Sequence, residues 1–162
     1  MNPRHADRRR ALDALFQADV MGVRPTAVLE QWREATGEEV APFTSELVQG
    51  FEDYREDVDI LIGETAHDWA VDRMAAVDRA ILRLGTYELL FRPDTPVAVA
   101  IDEAVEAAKE LSTEDSGRFV NGVLGRIASG PGLAERPVAT TRRERARVEP
   151  NETADRTRVE PD

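Results

Sequence analysis

Cysteine is absent, which removes disulfides, thiol nucleophiles and thiolate metal sites together. Histidine is nearly absent as well. Only His5 and His67 occur, in different segments, and neither has a second histidine at metal-ligand spacing, so no metal site is expected. Glycines stand singly at positions 22, 37, 50 and 63, with no phosphate-cradling loop among them. Carboxylates are plentiful, but on amphipathic helices they are solvated faces unless one member of a pair is desolvated. Nothing in the chain recommends an enzyme, and no cofactor is expected. No apolar run reaches the roughly 20 residues that span a bilayer. The start, Met1-Asn2-Pro3-Arg4, lacks the apolar stretch of a secretory signal. The expectation is a soluble, cytoplasmic protein with no membrane partner. Sustained period-two alternation and Asn-Gly hairpins are also missing, which argues against strands.

What is present has helical period. Leu12, Leu15, Phe16 and Val20 share one stripe of a segment from about Arg4 to Met21, which Gly22 and Pro25 end. A second helix is expected from about Pro25 to Thr36. A third runs from Pro42 to about Trp69, with Gly50 and Gly63 as points where it bends or divides. Val77, Ile81, Leu84, Tyr87 and Phe91 form the next stripe, and Leu82, Leu89 and Leu90 make its opposite side apolar too. A helix apolar nearly all round belongs in the middle of a fold. Asp94-Thr95-Pro96 reads as a new helix start, with Thr95 as cap and Pro96 at the first helical position. The helix beyond it has a clean apolar face, with Glu103, Glu106 and Glu110 facing water. A polar turn at 112–116 leads into a last helix carrying Phe119, Val120, Val123, Leu124 and Ile127. The fold class expected is all-α, a compact domain of about six or seven helices over 1–129. A disordered charged tail is expected over 130–162, where the apolar pattern collapses.

Charge divides the chain more sharply than hydropathy does. Arg4, Arg8, Arg9 and Arg10 against Asp7 give the first ten residues an excess of +3, and residues 130–162 sum to zero. The body over 11–129 must therefore carry −14 to reach the net −11. An acidic body with a basic end suits two partners of opposite charge. Arginine donates forked hydrogen bonds to phosphate and stacks on bases, so Arg8, Arg9 and Arg10 ahead of an aromatic-bearing helix fit single-stranded RNA. Phe16 and Phe119 read either as core residues or as ring faces on which a base stacks. Asp115 and Ser116 read first as helix-capping groups. Arg142, Arg143, Arg145 and Arg147 make a second basic cluster in the tail, suited to non-specific phosphate affinity or to solubility alone.

Three blocks resemble the NusB family: AVDRAILRLGTYELL over 76–90, VAIDEAVEAAKEL over 99–111 and RFVNGVL over 118–124. The arginine-rich start followed by Ala14-Leu15-Phe16 fits as well, and the resemblance spans roughly 8–128. It implies a compact helical domain acting in transcription antitermination on ribosomal RNA. Its expected partners are a boxA-like single-stranded RNA, the small-subunit ribosomal protein NusE and the transcription elongation complex. By position, the implied RNA face comprises Arg8, Arg9, Arg10, Phe16, Asp115, Ser116 and Phe119, with Asp78 on the partner-facing surface. Phe16 stands where some members have tyrosine, so stacking survives without the hydroxyl. A helical domain of this kind also precedes the catalytic domain of some ribosomal RNA methyltransferases, but no room for that domain is read here. The alternative function is a protein association module, a possible homodimer, without direct RNA binding.

Overall fold

The computed structural model describes residues 3–67 and 69–131; the expected tail lies outside them apart from its first two residues. Among the described residues every regular element is helical. The order is α1 (Pro3–Met21), α2 (Pro25–Thr36), α3 (Pro42–Thr65), α4 (Ala76–Phe91), α5 (Val97–Leu111) and α6 (Glu114–Ser129). A 3₁₀ turn at Val71–Arg73 links α3 to α4. α2 ends on Gly37 at φ 70°, a left-handed conformation that favours glycine, and the Gly37 amide donates to the Arg33 carbonyl.

α4 is the axis of the fold, packed against α1, α3, α5 and α6. Every residue from Ala80 to Leu90 is buried, as its all-round apolarity requires. Arg83 and Glu88 fall inside that span, and each is paired. Arg83 holds Asp59 of α3 through two bonds of 2.9 Å, and Arg8 of α1 donates to Glu88 at 2.8 Å. Arg79 donates its Nε to Asp19 at 2.9 Å. With Arg8 opposite Glu88 and Asp19 opposite Arg79, α1 runs antiparallel to α4 and is fastened near both ends.

Two sequence expectations shift. α3 is continuous through Gly50 and Gly63 and stops at Thr65, short of Trp69. At Gly50 a methyl group would overlap the buried Tyr87 ring and hydroxyl, so this glycine lets α4 pass close rather than bending α3. α5 begins at Val97, with Pro96 in the cap position and no side-chain cap. Thr95 is instead buried, its hydroxyl without a partner among the described residues, so it is packed inward rather than capping.

Candidate nucleic-acid interface

Successive residues on a helix point about 100° apart, so three consecutive arginines cannot share a face. Arg8 lies on the stripe of Leu12 and Leu15 and turns inward. Its side chain is 6% exposed and that of Glu88 is 2% exposed. Burial lifts the Glu88 carboxyl above its ordinary range, while the Arg8 charge and hydrogen bond pull it back down. Arg9 turns sideways, half-buried, and forms an ion pair with Glu110 of α5, 3.0 Å away. Arg10 faces outward and stacks over Trp32 of α2, 3.8 Å from the ring centroid. The indole of Trp32 donates to Gln17 at 3.0 Å. Arg10 thus presents an open guanidinium on an aromatic platform, and Arg8 does not.

His5 lies beside Glu103, and Arg9 beside Glu110, so α1 and α5 run in the same direction. Phe16 is two turns beyond Arg9 on one face of α1, roughly 10 Å further on at 1.5 Å per residue. It is 36% exposed. Its apolar stripe companions Leu12 and Leu15 are buried, so its exposure departs from the core half of its pattern.

The α5–α6 turn is built by Thr113. Its hydroxyl accepts the Ser116 amide at 3.0 Å, so Thr113 is the cap and the capping role read for Asp115 and Ser116 moves to it. Ser116 is buried. Its hydroxyl donates to Asp78 Oδ2 at 3.1 Å, tying α6 to the first turn of α4. The Asp78 Oδ1 atom is buried with no partner among the described residues. Asp115 is open to solvent and pairs with Arg118 one turn on, 3.2 Å away. Phe119 is half-buried and meets Trp69 edge to face, centroids 6.4 Å apart.

These residues line one groove of about 310 Å³, formed by Trp69, Met74, Ala75, Asp78, Asp115, Ser116 and Phe119. Asp78, Asp115, Ser116 and Phe119 are drawn together from α4 and α6, while Arg8 is withdrawn into the core. Trp69 and Met74 were not read as site residues. Trp69 had a signal, an aromatic residue beyond the last turn of a helical stripe; Met74 had none. Trp32, the platform under Arg10, carries no signal in the sequence beyond its place in α2.

The NusB family profile matches residues 5–129. The transcription antitermination protein NusB of Streptomyces griseus is 48% identical over 132 residues, covering 78% of this chain and 92% of that protein. A Thermotoga maritima NusB structure superposes with a TM-score of 0.70 at 38% identity, covering 80% of this chain and 92% of its own. A complex of antitermination factors NusB and NusE with double-stranded RNA gives a TM-score of 0.70 at 27% identity, over 80% of this chain and 98% of that one.

Proposed function

The chain belongs to the NusB family, and we propose that it is a transcription antitermination factor that binds RNA together with NusE. The observation that carries this reading is the groove. It presents two aromatic side chains, Trp69 and Phe119, beside the start of α6. Stacking of bases on aromatic rings contributes about 1–3 kcal/mol per base. Asp78 Oδ1 is buried and offers the strand no contact; Asp78 shapes the groove by holding Ser116. The RNA path runs from Arg10 and Arg9 past Phe16 to Phe119 and Trp69, with Asp115 and Ser116 at its far wall. Arg8 serves it indirectly by fixing α1. The RNA is a boxA-like strand in single-stranded form, because rings can stack only on bases that are already splayed out.

The charge of the body fits a basic second partner. Glu46, Glu56, Asp57 and Glu64 leave an exposed acidic surface along α3, which would speed and orient the approach of NusE. Asp78 stands where the partner and RNA surfaces would adjoin. The pair, docked on the elongation complex, adds positive charge that this chain lacks, so RNA binds the heterodimer more tightly than either protein alone. These roles need no catalytic group and belong to the bacterial cytoplasm. No helix among the described residues is long and apolar enough to cross a membrane.

The test is fluorescence anisotropy of a labelled boxA-like RNA with and without NusE at two salt concentrations. Binding should strengthen with NusE. Arg10→Ala should reduce the slope of log affinity against log salt by about one. Phe119→Leu, which keeps the core filled, should weaken binding about fivefold or more without changing that slope. Wild-type affinity in both variants would overturn the assigned path. Self-association with no RNA binding in either condition would favour the protein-association reading.

A further inference from the structure

α1 and α5 meet through long side chains across a narrow crevice lined by Leu12, Ala100, Ala104 and Ala107. At the Glu103 end of that contact, three metal-type donors converge from opposite parts of the sequence. His5 projects from the first turns of α1, and Glu103 and Glu106 project from one face of α5, three residues apart. His5 Nδ1 is 2.7 Å from Glu103 Oε2, and one donor atom from each of the three residues lies within 4.8 Å of the others. The two inner side chains are largely enclosed, His5 at 26% and Glu103 at 20% exposure. Glu106 is exposed and has no ion pair or hydrogen bond among the described residues. Of the nearby cations, Arg4 lies near Asp94, Arg8 pairs with Glu88 and Arg9 with Glu110.

We infer that His5, Glu103 and Glu106 form a binding site for a borderline divalent cation, Zn²⁺ foremost, which ties the start of α1 to α5. One neutral imidazole and two carboxylates supply two negative charges, which a divalent ion balances. Zinc bonds of about 2.0–2.2 Å in tetrahedral array hold donors about 3.3–3.6 Å apart. The three donors are close enough for small side-chain rotations to reach that spacing, with water as the fourth ligand. Binding exchanges the His5–Glu103 contact for two metal bonds and recruits the idle carboxylate of Glu106. The imidazole favours Zn²⁺ over Mg²⁺, which seeks an octahedron of oxygens and keeps its water. The inference is independent of RNA binding, because none of the three residues lies in the groove.

Isothermal titration of the full chain with Zn²⁺, and separately with Mg²⁺, tests it. Wild type should take up Zn²⁺ saturably, near one equivalent, and bind Mg²⁺ much more weakly. His5→Ala and Glu106→Gln should each lower Zn²⁺ affinity at least about tenfold, since loss of even an outer-shell group costs that much. His67→Ala, which removes the other imidazole, should leave affinity unchanged. Zn²⁺ should raise the melting temperature of wild type by mass action but not that of His5→Ala. Circular dichroism of each variant without metal confirms that helices are retained. Equal Zn²⁺ affinity in wild type, His5→Ala and Glu106→Gln, or Mg²⁺ binding as tight as Zn²⁺, would overturn the site.

Discussion

Replacing Arg8 by alanine should damage the fold, and RNA binding only through it. The side chains of Arg8 and Glu88 are almost wholly removed from solvent, and Glu88 lies in the middle of the central helix. Deleting one partner of such a pair leaves a buried charge without compensation, which costs about 3–5 kcal/mol. For a domain of this size that corresponds to a melting temperature lowered by about 10–20 °C. The loss should depend on pH in a definite direction. Burial raises the Glu88 carboxyl above its ordinary 4.5 while Arg8 opposes the rise, so removing Arg8 lets it climb further. A raised folded-state value means that this group's contribution is fully present below the unfolded value and is lost as pH rises through the folded one. The deficit of Arg8→Ala should therefore be largest near neutral pH and shrink in mild acid. Urea unfolding followed by circular dichroism at two pH values measures it. The double variant Arg8→Met, Glu88→Leu, which replaces the pair by apolar volume, should recover to within about 1 kcal/mol of wild type. A single-variant loss under about 1 kcal/mol, or a deficit that grows in acid, would refute the argument. At temperatures where it remains folded, Arg8→Ala should keep the wild-type salt slope for RNA.

Gly50→Ala should cost about 1–3 kcal/mol, because the added methyl overlaps Tyr87, whose buried ring packs beside Tyr54 and Phe91; thermal unfolding measures the loss. Thr113→Ala removes the acceptor for the Ser116 amide and should lower stability by about 1 kcal/mol, while Thr113→Ser should restore most of it. Chemical denaturation of both variants checks the pair.

The helical layout was largely legible because amphipathic period is a local property. α2 falls between the expected residues, and the central place of α4 follows from Leu82, Leu89 and Leu90 on the side away from its main stripe. The Gly50 error arose because glycine serves both as a helix breaker and as clearance for a neighbour. Only the position of Tyr87, 37 positions later, distinguishes these uses. Arg8 was assigned to the RNA face on charge, yet its spacing to Leu12 and Leu15 already put it on the core stripe. What sequence could not supply was Glu88, 80 residues away, as its counter-ion. The groove was read in fragments. Its α6 residues came as a block, but the Ser116–Asp78 bond that makes Asp78 part of the same groove spans 38 residues.

That bond also joins parts of the chain that are made at different times. Domains fold as units, so the basic end of α1 emerges first but waits for the rest of the domain. Trp69, Met74 and Asp78 follow, yet the opposite wall of the groove is supplied by α6, which closes the domain. A nascent chain that has reached the end of α4 carries its arginines but only half of its aromatic cleft. The groove proposed for RNA is therefore complete only once Ser116 and Phe119 of α6 stand against Asp78 and Trp69.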